Sequence, residues 1–118
     1  MTSPLFADHV QRPRNIGRLM VASRIGRFGT EGGGPYMTFW LMIHGDIIAK
    51  ATFETYGCPS AVACGSLTTE LITGRTVSQA LKLEPEDLMT VLGGLPEGRE
   101  ECARFSIIAL RDALGEKI

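Results

Sequence analysis

The run Thr55-Tyr56-Gly57-Cys58-Pro59-Ser60-Ala61-Val62-Ala63-Cys64 is where this sequence concentrates reactive chemistry. A β-rich stretch delivers Cys58 onto a Gly/Pro turn, and a helical pattern starts straight after it. A thiol there meets backbone N–H groups and the positive end of a helix dipole, which favour the thiolate, the form that binds metal or attacks sulfur. A turn cysteine also serves as a packed structural thiol, so the turn leaves both roles open for Cys58. A second cysteine, Cys102, follows Leu95-Pro96-Glu97-Gly98-Arg99-Glu100-Glu101 in the first turn of a C-terminal helix. The dipole favours its thiolate, whereas Glu97, Glu100 and Glu101 oppose a further negative charge. Cys64 shares a helical stripe with Leu67 and Leu71, the spacing of a small core residue. Its alternative role is to supply an extra thiolate to the site.

The surroundings of these thiols are bounded by composition. At 118 residues the chain is expected to be one domain, 1–118, able to bury a modest core. Its 44% hydrophobic and 21% charged content fits a soluble globular protein. A net charge of −1 gives no signal for nucleic acid or an anionic membrane. His9 and His44 are the only histidines, too few for a multi-histidine metal site. Met1 to Asp8 lacks the basic and apolar regions of a secretory signal, and no apolar run approaches the ~20 residues that span a bilayer. A cytoplasmic location with three reduced thiols is the resulting expectation.

Ser3-Pro4 pairs a capping serine with proline at the first helical position, which predicts a helix to about Gln11, stopped before Pro13. Val21 to Phe28 reads as a first strand, and Thr30 to Pro35 as a glycine-rich loop. Tyr36–Ile43 and Ile47–Thr55 flank His44-Gly45-Asp46, a hairpin with a three-residue turn. That register puts Phe39, Leu41, Ala51 and Phe53 on the core face, and Trp40 and Met42 outside beside Lys50, Thr52 and Glu54. Ser60 caps a helix to Thr73, ended by Gly74, and short helices follow at Val77–Leu81 and Glu86–Leu92. The last helix covers Arg99 to Leu114, with Ala103, Ile107, Leu110 and Leu114 on one stripe. Helix, three strands, then helices is a segregated α+β pattern: a small three-stranded antiparallel sheet with helices packed on one face.

His9-Val10-Gln11-Arg12-Pro13-Arg14-Asn15-Ile16-Gly17, Tyr56-Gly57-Cys58, Leu71-Ile72-Thr73-Gly74 and the Leu95–Cys102 segment occur in an order that resembles the IscU/NifU-type iron–sulfur cluster scaffold family. The resemblance spans nearly the whole chain and implies the same α+β architecture. It also implies that Cys58 and Cys102 are cluster ligands, with Cys102 a sulfur acceptor from a cysteine desulfurase, and that the product passes to apo-protein acceptors. His9 reads as structural in this comparison. The departures are specific: Gly33 stands where the family has its first cluster cysteine, Pro35 where it has an aspartate, and Glu101 where it has a histidine. The chaperone-docking segment keeps only Leu95 and Pro96 of its pattern, so docking there is not implied.

Three functions are thus in play. The first is a scaffold or carrier, not an enzyme, that holds iron and sulfide transiently on Cys58 and Cys102. A four-thiolate cluster exceeds what three cysteines supply, so Glu101, Cys64, a small thiol or a second chain completes the set. The second is a scaffold-like binding module without cluster chemistry. The third is zinc on Cys58, Cys102 and Glu101, with water as the fourth ligand; the carboxylate oxygen is a harder donor than imidazole. Trp40 and Met42, apolar on a face expected to be wet, point to contact with a second copy or an assembly partner, unless the N-terminal segment or the Gly-rich loop folds over them.

Overall fold

The computed structural model describes residues 3–115. Met1, Thr2 and residues 116–118 lie outside the described residues, so the leader-peptide expectation falls partly there. Strands β1 (Arg24–Phe28), β2 (Tyr36–His44) and β3 (Ile47–Tyr56) form one antiparallel sheet in the order β1-β2-β3. Helices α1 (Pro4–Gln11), α2 (Pro59–Ile72), α3 (Val77–Ala80), α4 (Pro85–Val91) and α5 (Glu101–Ala113) complete the described chain. The expected α+β layering is what the structure has: α2 packs on β3, and α5 on β1 and β2.

The hairpin reaches the expected facing by a different route. His44 pairs with Ile47, so the turn is the two residues Gly45-Asp46, with Gly45 at φ 65°, the left-handed conformation that glycine adopts without cost. A two-residue turn by itself would set odd positions of β2 against even positions of β3. Ile43 pairs with Ile48 and Met42 with Lys50, so Ala49 is bulged out and the parity is restored. Phe39 then faces Phe53, with ring centroids 6.2 Å apart, and Leu41 faces Ala51; all four are buried.

β1 starts three residues later than expected. Its inward positions include Gly26, where a Cβ would land on the backbone of Ala109 and Ala113. Helix α5 therefore lies backbone to backbone against β1, and Phe28 stacks on Phe105 with centroids 4.2 Å apart. Helix α1 has its serine cap, the Ser3 hydroxyl accepting from the Phe6 N–H at 3.4 Å. The cap of α2 is Cys58 rather than Ser60, which is buried inside the first turn. Helix α5 starts after the expected Arg99 because Pro96–Arg99 closes a turn, the Arg99 N–H donating to the Pro96 carbonyl at 2.9 Å.

The His9–Gly17 segment is structural, as expected. His9, fully buried, has Nδ1 2.7 Å from Ser66 Oγ, which also accepts from the Arg14 N–H at 2.9 Å. Asn15 takes φ 61° and donates from Nδ2 to Thr69 Oγ1 at 3.0 Å. The Phe53 N–H donates to the Asn15 carbonyl and the Gly17 N–H to the Phe53 carbonyl, both at 2.9 Å, so residues 15–17 add an edge to β3. Burial, and secondarily the Arg14 charge, lowers the His9 pKa from the ordinary 6.5 and keeps the ring neutral. Glu70, 3.3 Å from Nε2 but off hydrogen-bond alignment, opposes this only in part. A histidine with a depressed folded-state pKa binds its proton more readily when unfolded. Stability should therefore fall as pH drops below about 6.5, a slope that His9→Gln abolishes in denaturant titrations run from pH 7.5 to 5.

The exposed Trp40/Met42 patch expected from the sequence is not there. Trp40 does lie on the outer face, opposite Ile25 and Thr52, yet only 8% of it is exposed, and Met42 is half-buried. The chain must pass from the β3 edge at Gly17 to the β1 edge at Ser23, whose N–H donates to the Leu41 carbonyl at 2.8 Å. It crosses over Trp40, and the Arg18 guanidinium sits 6.0 Å from the indole centroid while pairing with Glu54 at 3.3 Å and Glu31 at 3.6 Å. The alternative in which the N-terminal segment covers this face holds, and self-association through Trp40 and Met42 loses its basis. Trp40→Lys, which also sets a cation against Arg18, should cost about 2–3 kcal/mol. Thermal unfolding should show that loss, with an unchanged sedimentation coefficient.

Candidate functional site

The last residue of the β3–α2 connection and the second residue of α5 meet. Cys58 and Cys102, 44 positions apart, have their Sγ atoms at 3.5 Å. The meeting follows from the sheet: β3 ends at Tyr56 and hands the chain through Gly57 to α2, while α5 crosses β1 and β2 and packs against α2. Both thiols line a cavity of about 350 Å³ whose walls include Tyr36, Tyr56 and Phe105. Cys58 is half-buried and Cys102 keeps 6% of its surface.

The two thiols differ electrostatically. Burial opposes ionisation of Cys58, but the Ala61 N–H, the Cys102 thiol, the Ser60 N–H and the Arg99 charge together hold its pKa below the ordinary value. Burial pushes Cys102 up to about 12, reinforced by its hydrogen bond to Cys58 and by the neighbouring Cys58 charge. Helix-start position alone favours the thiolate at Cys102; desolvation outweighs it. Of the two thiols Cys58 is therefore the one that ionises first, and Cys102 is the one that keeps its proton longer.

The other candidates separate cleanly. Cys64 is fully buried in the core and does not line the cavity, and burial drives its thiol far above the usual range. Of its two roles the core one is what the structure shows. Cys64→Ala should cost roughly 1 kcal/mol by leaving a small void, and metal analysis of this variant should match that of the parent. Glu101 lines the cavity with a side chain 60% exposed, and pairs with Arg104 at 3.7 Å. Among the described residues no three His, Cys, Asp or Glu side chains gather as a metal-holding group. Pro35 borders the cavity and Gly33 does not. His9 lies in the α1–α2 contact, bonded to Ser66. Arg99, read in the sequence only as part of an altered docking segment, is the one cation among the described residues that lines the cavity, and its charge favours ionisation of both thiols. Its signal was a basic residue three positions before Cys102 on a Pro/Gly turn.

Comparison with known proteins supplies the family and the fold. The model of the NifU-like N terminal domain matches residues 3–116. The iron–sulfur cluster assembly scaffold protein IscU 1 of Archaeoglobus fulgidus is 35% identical over 114 residues, 97% of this chain and 74% of that protein. The scaffold protein IscU of Aquifex aeolicus is 35% identical over 109 residues, 91% of this chain and 69% of its own length. Among solved structures, FiSufU of Fervidobacterium islandicum superposes with a TM-score of 0.74 at 21% identity over 95% of both chains. The N-terminal NifU-like protein of Brucella abortus does so at 0.60 and 17% identity, over 95% of this chain and 82% of that one; these two show the shared fold. From the extent of these matches, this chain belongs to the family of NifU-like N-terminal domains that includes the IscU scaffolds.

Proposed function

We propose that this chain is an iron–sulfur cluster assembly scaffold with a reduced ligand set, a carrier rather than an enzyme, working in the cytoplasm. The observation that carries this is the meeting of Cys58 and Cys102 at 3.5 Å beside a cavity. Two thiolates on one iron or zinc stand roughly 3.8 Å apart, given metal–sulfur bonds near 2.3 Å and tetrahedral angles. The pair is thus close to ligand spacing already. Iron and sulfide are the cargo, with sulfur coming from a cysteine desulfurase and the product going to apo-protein acceptors. The scaffold role of the IscU relatives supports this reading, and the altered Glu97-Gly98-Arg99 argues against chaperone docking there.

Two protein thiolates leave a cluster short of ligands, so Glu101 turning inward, a small thiol or a second chain must supply the rest. Cargo should be held weakly and lost in air. Anaerobic reconstitution with ferrous iron and sulfide, followed by visible absorption and metal analysis, tests this. A cysteine-dependent chromophore, absent in Cys58→Ser and Cys102→Ser but retained in Cys64→Ala, is the expected result. Zinc retained in place of iron would favour the zinc relative, and no metal retained at all would favour the binding module, whose support is the absence of a three-group metal site among the described residues.

A further inference from the structure

The site has two thiols in contact and, among the described residues, no third metal-binding group gathered with them. That geometry suits electron chemistry as well as metal holding. We propose that Cys58 and Cys102 act as a reducing dithiol that converts the sulfane sulfur of a persulfide into sulfide, with no iron required. It goes beyond the scaffold reading and rests on it only for the use to which the sulfide is put.

The two sulfurs are differently placed for the two halves of such a reaction. Cys58 is half-buried and borders the 350 Å³ cavity, so a donor reaches it first. Cys102, 6% exposed, stands behind it in contact and is reached by the donor less easily. The cavity is bounded by Tyr36, Tyr56 and Phe105, with the Arg99 cation and the Glu101 carboxylate both among its lining, a combination of aromatic walls and two opposite charges that accepts a small or loop-borne donor. Cys64, buried in the core, cannot compete for the sulfur.

The first step transfers sulfur: the Cys58 sulfur attacks the terminal sulfur of the donor R–S–SH, the donor S–S bond breaks, and R–S⁻ leaves and takes up a proton. Cys58 now carries –S–SH. In the second step the Cys102 sulfur attacks the inner sulfur of that persulfide; a Cys58–Cys102 disulfide forms and HS⁻ leaves, taking the Cys102 proton as H₂S. The sulfane sulfur gains two electrons and the two thiols lose two. Closing the pair shortens 3.5 Å to about 2.05 Å, within the reach of side-chain rotation. A cellular thiol or dithiol reductant then restores the reduced pair by exchange.

The experiment uses the reduced chain with free thiols removed, a metal chelator present, and glutathione persulfide as the donor. About one sulfide per chain should appear, matched by one Cys58–Cys102 disulfide in peptide mapping. Cys102→Ser should retain one extra sulfur on Cys58 and release no sulfide above the protein-free rate. Cys58→Ser should neither take up sulfur nor release sulfide. The proposal is overturned if the parent chain keeps a stable persulfide without forming the disulfide, or if Cys102→Ser releases as much sulfide as the parent. Should the serine variants fail to fold by circular dichroism, the one-to-one match of disulfide and sulfide in the parent decides by itself. Because no iron is used, failure to load a cluster leaves this outcome untouched, and the reverse also holds.

Discussion

Gly33→Cys should turn a chain that loses its cluster quickly into one that keeps it. The resemblance to the IscU/NifU-type scaffolds implies that Gly33 stands where that family carries its first cluster cysteine. Its neighbours Gly32 and Gly34 take φ values of 86° and 114°, but Gly33 is not in the left-handed region, so an L side chain fits its backbone. A Cβ there would meet only Thr30, at 3.4 Å from its carbonyl oxygen and 3.7 Å from its Cβ, ordinary contact distances. Pro35, two residues on, already borders the cavity that holds Cys58 and Cys102. Two residues of chain span at most about 7 Å, and the glycines on either side of position 33 let the loop adjust. A third thiolate replacing an exchangeable ligand should slow cluster loss at least about tenfold, since a factor of ten needs only about 1.4 kcal/mol. The measurement is the decay of visible absorption after reconstitution under a chelator. Gly33→Ser, which fills the same space without a soft donor, is the control and should decay like the parent. Equal decay of the cysteine variant and the parent would show that the loop does not bring position 33 to the thiols.

The parts of this molecule that were readable in advance are those where a residue type forces a local outcome. Ser3-Pro4 starts α1 where a serine cap and a leading proline require it, and the alternation of Ala51 and Phe53 places β3 correctly. The pairing of Cys58 with Cys102 followed from the order of the motifs, and no local pattern would have given it. What stayed hidden depends on distant chain. The turn at Gly45-Asp46 is one residue shorter than the sequence suggests, and the bulge at Ala49 that compensates keeps Phe39, Leu41, Ala51 and Phe53 on their expected face while it turns Ile48, an even position, into the core. Trp40 looked exposed because its cover, Arg18, is charged and lies 22 positions away; a guanidinium paired with Glu31 and Glu54 does not read as a lid. The contrast between the two thiols was hidden too. Helix-start position is local and treats them alike, whereas burial, which the sequence does not display, prevails at Cys102 and is overcome at Cys58 by the Ala61 N–H, the Cys102 thiol, the Ser60 N–H and the Arg99 charge. The weak strand signal of β1 has the same origin. One of its inward positions is a glycine, and the apolar surface it lacks is supplied by the backbone of α5.

Gly26→Val should therefore be the most damaging single substitution outside the thiols. Valine is a better strand residue than glycine, so local propensity alone predicts a gain for this change. Packing predicts the opposite. The new Cβ would land on the Ala109 carbonyl oxygen and on the amide and Cα of Ala113, and backbone atoms have no rotamer through which to yield. Relief requires α5 to move off the sheet, which strips cover from Phe39 and Leu41 and carries Cys102 away from Cys58. The cost should be about 4 kcal/mol or more, a large share of the roughly 5–15 kcal/mol that holds such a domain together. Gly26→Ala should show the same sign at smaller size, because it lacks the two γ-methyls. Chemical denaturation measures the loss, and the yield of oxidative Cys58–Cys102 cross-linking in the remaining folded fraction reports the displacement of α5. A Gly26→Val chain that unfolds at the parent's midpoint and still cross-links fully would mean that α5 does not press on β1 as closely as the structure has it, and the placement of Cys102 would have to be rebuilt from there.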